Sequence, residues 1–316
     1  MKKLNNKILI IVLVALVAIY GLSRVFRASS RETNLPKELV TLDTAAITEI
    51  KIYTAKEFNK EIRLVKEGKN WTVKSDNKSA NVEQGSVNGS VGQFVHLKPI
   101  RLVTKKKTKW KEYSVGDTST QVKFMKGSEV LADLRIGRVQ FDMQPGQQQF
   151  NPNSISTYVR LSGEDEVYSV EGFLESTFNK SYDDWRDKAF LRVKQNMITK
   201  VTFTYPADSG FVIEKRDKIW WVNNQEADSV KVKGYLAQLE YKNATAFADD
   251  FKTTGNAQAV IQFNGAAGNL ATVQAWKRES DWAMNSTHQS NVNFISKGLE
   301  SLLEGKKNFL PDVKKK

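Results

Sequence analysis

Asp183, Asp184 and Asp187 fall within five residues of one another in the stretch "YDDWRDKAFL". Clustered carboxylates can chelate a divalent cation or share acid and base roles. A calcium site, however, draws about six to eight oxygens and usually needs a glycine turn. Here Arg186 and Lys188 interleave with the acids and oppose a bound cation. The stretch is therefore expected to be a structural joint. In that reading Trp185, Phe190 and Leu191 pack between two modules, and Arg186 and Lys188 pair with the neighbouring aspartates.

Other residues with chemical potential are equally isolated. Glu164, Asp165 and Glu166 sit at a hairpin tip, too exposed for the raised pKa an acid catalyst needs. His96 and His288 are the two histidines, neither has a ligand-spaced partner, and there is no cysteine to complete a zinc site. The glycine-rich "GSVNGSVG" at 85–92 lacks the G-K-[ST] ending of a phosphate loop. No G-x-S-x-G occurs. The expectation is a non-enzymatic protein without cofactor or metal; a hydrolase with dispersed carboxylates is the alternative.

The strongest local charge is "TKKKTKWK", which places Lys105, Lys106, Lys107, Lys109 and Lys111 together. Such a run could bind an anionic envelope polymer or lipid surface, or be an ordinary solvated face. No finger, helix-turn-helix or RNP-like motif accompanies it, so nucleic acid is not expected as a partner.

The N-terminus bears on location. Lys2, Lys3 and Lys7 precede an uncharged, mostly apolar run from Ile8 to Leu22. As a helix this run spans about 22 Å, short of a hydrocarbon core of about 30 Å. Extension to Phe26, with Arg24 and Arg27 snorkelling, closes the gap. No A-x-A-like cleavage site follows. An uncleaved signal anchor over residues 1–31 is expected, single-pass in the cytoplasmic membrane, with the body on the extracytoplasmic side. Formal charge is +13; beyond residue 31 there are 42 Lys and Arg against 35 acids.

The elements that would position these groups come in two series. "ITEIKIY" from Ile47 matches "ITKVTFTY" from Ile198, "NWTV" matches "IWWV", and "VNGSVGQF" from Val87 matches "VKGYLAQL" from Val232. "VKFMKGSEVLADL" from Val122 matches "IQFNGAAGNLATV" from Ile261, and "LES" recurs at Leu174 and Leu299. These echoes are collinear and indicate a repeated module. Within each copy, alternating strands and hairpins surround a helix whose stripe in the first copy is Val87, Val91, Phe94 and Val95. The expected fold is α+β: an N-terminal transmembrane helix, then two tandem repeats of a mostly antiparallel β module with an inserted helix. The modules are placed at 40–190 and 196–305, followed by a basic tail at 306–316.

The first copy is longer in two places, at "TKKKTKWKEYSVGDT" (104–118) and at "RVQFDMQPGQQQFNPNS" (138–154). Long polar loops in a compact module are often functional. They supply the candidate contact surface: the five lysines above with Phe141, Gln144, Gln147 and Phe150. Tolerated surface drift is the alternative.

"TYVRLSGEDEVYSVEGFLESTFNKSYDDWRDKAFL" resembles a bacterial family, the domain of unknown function 4340. The shared features are a "W-x-V" strand at Trp71–Val73, an "E-Y-x-V/L" turn at Glu112–Val115, a "Y-V-R…V-Y-x-V" hairpin at Tyr158–Val170 and an "R-D-K" close at Arg186–Lys188. The glycine usual after the tyrosine of the turn is Ser114 here. The resemblance implies no catalytic residues. It implies a companion of an ABC transporter of the gliding-motility type, and hence an envelope protein partner.

Overall fold

The computed structural model describes residues 35–141, 155–207 and 209–312, together with Leu13, Leu16 and Tyr20. Among the described residues no helix is long and apolar enough to cross a membrane. The expected anchor at 8–26 lies outside them apart from those three positions. The chain divides into two compact units between Arg186 and Asp187, four residues before the boundary expected at 190.

The first unit holds strands β1 (Val40–Thr41), β2 (Glu49–Tyr53), β3 (Glu61–Glu67), β4 (Asn70–Ser75), β5 (Lys78–Asn81), β6 (His96–Leu97), β7 (Pro99–Thr104), β8 (Thr120–Lys126), β9 (Glu129–Phe141), β10 (Ile155–Leu161) and β11 (Val167–Glu171). Its helices are α1 (Gln84–Gly92), α2 (Leu174–Phe178) and α3 (Tyr182–Trp185). Nine strands form one antiparallel sheet in the order β5-β4-β3-β2-β8-β9-β10-β11-β7, and β1 pairs with β6. Alternation sets the faces. Ile50 and Ile52 of β2 are fully buried while Glu49, Lys51 and Tyr53 are half-buried. Ile50 lies opposite Leu64 on one side and Phe124 on the other. Each such buried side chain contributes about 1.5–3 kcal/mol.

Helix α1 packs Val87 and Val91 into this core. Its N-cap Glu83 accepts from the amides of Gly85 and Ser86, satisfying two donors that a helix start leaves open. The helix ends at Gly92, earlier than the expected stripe; Phe94 is still fully buried from the following turn, and Val95 is only half-buried.

The second unit holds β12 (Ala189–Leu191), β13 (Lys200–Thr204), β14 (Phe211–Arg216), β15 (Ile219–Val222), β16 (Gln225–Glu226), β17 (Lys242–Asn243), β18 (Ala259–Gly265), β19 (Gly268–Lys277), β20 (Trp282–Ser286) and β21 (Phe294–Ile295), with helix α4 (Ser229–Ala237). Eight strands form an antiparallel sheet in the order β16-β15-β14-β13-β18-β19-β20-β21, and β12 pairs with β17. Element for element this is the order of the first sheet without β7. Val201 lies opposite Ile213 and Phe263, as Ile50 lies opposite Leu64 and Phe124. Asp228 caps α4 by accepting from the amides of Val230 and Lys231, as Glu83 caps α1.

The division falls inside "YDDWRDKAFL", where the joint was expected; Trp185 belongs to the first core, and Phe190 and Leu191 to the second. A Ser181–Asp184 capping box starts α3, and the Trp185 ring lies 6.1 Å from that of Phe178. The residues from 306 do not start a free tail. Lys306–Phe309 forms a 3-10 turn, Phe309 is buried in the second core, and its carbonyl accepts from the Asp228 amide at 2.9 Å.

Candidate contact surface of the first unit

Strand β10 is buried at six consecutive positions, Ile155–Arg160. Burial without alternation means that both faces are covered. Val159 faces the main core. Tyr158 and Arg160 face the other way, under the segment 104–118. That segment was expected to be a polar surface loop; it is packed instead. Tyr113, Val115, Tyr158 and Val167 form a separate small core, with Val103 and Trp110 against it. Tyr113 meets Tyr158 edge-on at 4.8 Å between ring centroids. The "E-Y-x-V" turn and the "Y-V-R…V-Y-x-V" hairpin, distant in sequence, therefore meet in one cluster.

Three arginines of the underlying strands hold the segment by its carbonyls. Arg160 Nε donates to Val115 O at 3.1 Å, and Arg138 Nε to Glu112 O at 3.0 Å. Arg135 Nη1 donates to Asp117 O at 2.7 Å and Ser119 O at 3.2 Å. Arg160 is buried and also donates to Glu164 O at 3.1 Å. Its guanidinium carbon lies 3.7 Å from the Trp110 ring centroid, and Trp110 Nε1 donates to Asp165 O at 3.1 Å. Burial, with the nearby Arg135 charge, pushes the Arg160 pKa below the ordinary arginine value, and Asp117 opposes this.

Two backbone details allow the close approach. A Cβ on Gly137 would lie 2.2 Å from Tyr113 O and 2.7 Å from Val115 Cγ1, so only glycine fits there. Ser114 stands at φ 55, the left-handed region that favours glycine. The turn thus holds a left-handed geometry with serine at this position.

The lysines lie above this framework, largely matched by acids. Lys105 faces Glu166 at 3.5 Å, Lys107 faces Asp165 at 3.3 Å and Lys109 faces Glu112 at 3.8 Å. Lys106 and Lys111 make no ion pair among the described residues. The local acids therefore offset much of the positive field that the sequence suggests. Phe141, at the end of β9, is exposed, with its ring 6.3 Å from that of the half-exposed Phe173. Gln144, Gln147 and Phe150 lie outside the described residues.

A groove of about 820 Å³ runs between the segment and the sheet, lined by Trp110, Lys111, Ser114, Thr118, Arg138 and Asn179 among others. Asn179 is already engaged: Oδ1 accepts from Thr54 Oγ1 at 2.6 Å and Lys56 N at 2.9 Å, and Nδ2 donates to Glu175 at 2.7 Å. Sequence reading passed over Arg135, Gly137, Arg138 and Arg160. The available signal was Arg160 itself, a cation inside the otherwise apolar-alternating "YVRL".

The aspartate cluster resolves into three separate structural tasks. Asp183 pairs with Arg186 at 2.9 Å. Asp184 completes the capping box and pairs with Lys56 at 2.5 Å. Asp187 accepts from the Ala189 amide at 2.9 Å. Against partial burial, hydrogen bonds from Lys56 and from Ser181 hold the Asp184 carboxyl well below the usual range. Among the described residues no group of three or more His, Asp or Glu is placed to hold a metal ion.

Fold and surface together define an α+β protein of two large antiparallel sheets whose first unit carries a clamped basic loop. A family model, the domain of unknown function DUF4340, matches residues 71–260, and the chain belongs to that family. No curated protein and no solved structure matches the chain.

Proposed function

We propose that this is a non-enzymatic, membrane-anchored accessory protein with its body outside the cytoplasmic membrane, docking a protein partner of an ABC-type transport complex. The observation that carries the reading is the clamp. Three arginines are spent on backbone carbonyls of the segment 112–119, which fixes a surface rather than arming a reactive group. The acids facing Lys105, Lys107 and Lys109 favour a protein contact over a polyanion cradle. The uncleaved anchor rests on the apolar run 8–26. The shared strand order and the equivalent partners of Ile50 and Val201 support reading the two units as copies of one module.

The test is affinity purification of the full tagged chain from solubilised membranes at low and high salt. Recovery of transporter subunits at both salt levels is expected, because a packed interface is less screened than an electrostatic one. Loss of all partners at high salt would favour polymer binding. Protease accessibility on spheroplasts checks the orientation, and a soluble mature chain beginning near residue 28 would remove the anchor from the proposal.

A further inference from the structure

The second unit has a groove of about 450 Å³ whose lining includes Lys194, Gln195, Lys215, Trp220, Lys233 and Glu240. It is bordered by the 3-10 turn Gln195–Met197, the β14–β15 ladder and helix α4. Lys215 and Trp220 are cross-strand partners in that ladder. Lys233 comes from the middle of α4 and Lys194 from the residue capping the turn.

The equivalent place in the first unit shows what is unusual here. There Lys66 and Trp71 are the cross-strand partners, and the indole Nε1 of Trp71 donates to Asn88 Oδ1 at 3.1 Å. Asn88 and Lys233 occupy the same helical position, the second residue of "VNGSVGQF" and of "VKGYLAQL". A lysine ammonium cannot accept a hydrogen bond, and the Trp220 indole N–H has no acceptor among the described residues. Four residues before the matched Ile47 and Ile198 stand Asp43 and Lys194. The first-unit position therefore combines one lysine with one aspartate. The second combines three lysines with Glu240, and none of the three makes an ion pair among the described residues.

We propose that this groove of the second unit is a phosphate-binding site. Its ammonium groups and the indole N–H of Trp220 are donors in want of acceptors, and Glu240 leaves an excess of two positive charges. Lysines act as point charges with three donors each, which suits a tetrahedral oxyanion; planar carboxylate recognition is the strength of the arginine fork. The phosphate could be borne by a lipid headgroup or by a soluble polyphosphate.

The experiment uses the full chain in an uncharged detergent. Calorimetric titration with sodium tripolyphosphate is run beside titration with mixed micelles of phosphatidylglycerol, with phosphatidylcholine micelles as control. Binding is expected to weaken about tenfold or more in Lys215→Gln and in Lys233→Asn, and to fall as salt rises. Lys233→Asn installs the first unit's residue at its own helical position, so folding should be retained; circular dichroism checks this. Lys78→Gln with Lys126→Gln, at exposed positions of the first unit, should leave binding unchanged. Tighter binding of phosphatidylglycerol than of tripolyphosphate assigns the lipid source, and the reverse assigns the soluble one. Absence of binding to both, or full binding by folded Lys215→Gln and Lys233→Asn proteins, overturns the proposal.

Discussion

The Arg160 guanidinium carbon lies over the Trp110 ring, 3.7 Å from its centroid, while Nε of the same side chain donates to Val115 O. One buried side chain thus ties strand β10 to both ends of the Trp110–Val115 turn. A desolvated cation over tryptophan is worth about 2 kcal/mol, and unpaired buried carbonyls cost about 1–3 kcal/mol each. Arg160→Ala should therefore destabilise the first unit by about 3 kcal/mol or more. Arg160→Lys, which keeps charge but loses the planar fork, should still cost about 2 kcal/mol. Urea unfolding followed by tryptophan fluorescence reads both; wild-type stability in either variant would show that the clamp is not structural.

The turn clamped by Arg160 offers a pair of opposite predictions. Gly137→Ala places a methyl within 2.2 Å of Tyr113 O and should cost about 1–3 kcal/mol by overpacking. Ser114→Gly relieves a left-handed residue at φ 55. That conformation costs about 1–2 kcal/mol for an L-residue, and glycine's extra unfolded-state entropy returns about 0.5–1 kcal/mol of it. A gain of up to about 1 kcal/mol is expected, seen as a small rise in melting temperature. Destabilisation by Ser114→Gly would mean that the serine is held for another reason.

What was legible in the sequence follows from periodicity. Ile50 and Ile52 alternate with Lys51, and their counterparts Val201 and Phe203 alternate with Thr202, so the strands, faces and parallel order of elements could be read from side-chain pattern alone. Trp71 and Trp220 both open a strand after a turn and are both buried. The segment 104–118 has no such period. Trp110, Tyr113 and Val115 are scattered among lysines, and their burial depends on β10 and β11, which arrive far later in the chain. The donors holding the segment belong to Arg135, Arg138 and Arg160, and a backbone carbonyl acceptor leaves no trace in residue type. The division at Arg186 was legible to within a few residues, because "YDDWRDKAFL" lies where the first copy ends and the second is about to start; the Ser181–Asp184 box that starts α3 was not.

Asp184 gives a pH dependence with a definite sign. Its folded pKa is depressed from the ordinary 3.8, so the unfolded chain takes up the proton first as pH falls. The contribution is complete above about pH 5 and is lost as pH drops through 3.8 toward the folded value. The side chain is about one-third exposed, so screening limits the ion pair to about 1 kcal/mol or less. Asp184→Asn should lower stability modestly at pH 7 and by progressively less below pH 4. Melts of both proteins across pH 2.5–7 that run parallel throughout would contradict this.

The last prediction separates fold from docking in the longer insertion. It was expected at 138–154, but Val139, Gln140 and Phe141 belong to β9, paired with Thr157, Ser156 and Ile155. Phe141 and Ile155 are direct partners, so residues 142–154 leave and return at a register that a two-residue hairpin turn can close. Asn-Gly in a type I′ turn matches the twist of such a pair. Replacing 142–154 by Asn-Gly should keep the melting temperature within about 4 °C of the parent, because loop-closure entropy changes only logarithmically with length. If the insertion docks the partner in the proposed function, the same protein, lacking Gln144, Gln147 and Phe150, should lose the transporter subunits in the affinity purification. A second variant, Phe141→Ala with Phe173→Ala, probes the exposed aromatic pair at the end of β9 and should reduce recovery several-fold without a comparable loss of stability, exposed rings having little burial to forfeit. Unfolding of the Asn-Gly protein would make the insertion part of the fold. Undiminished recovery from a well-folded Asn-Gly protein would move the docking site elsewhere on the chain.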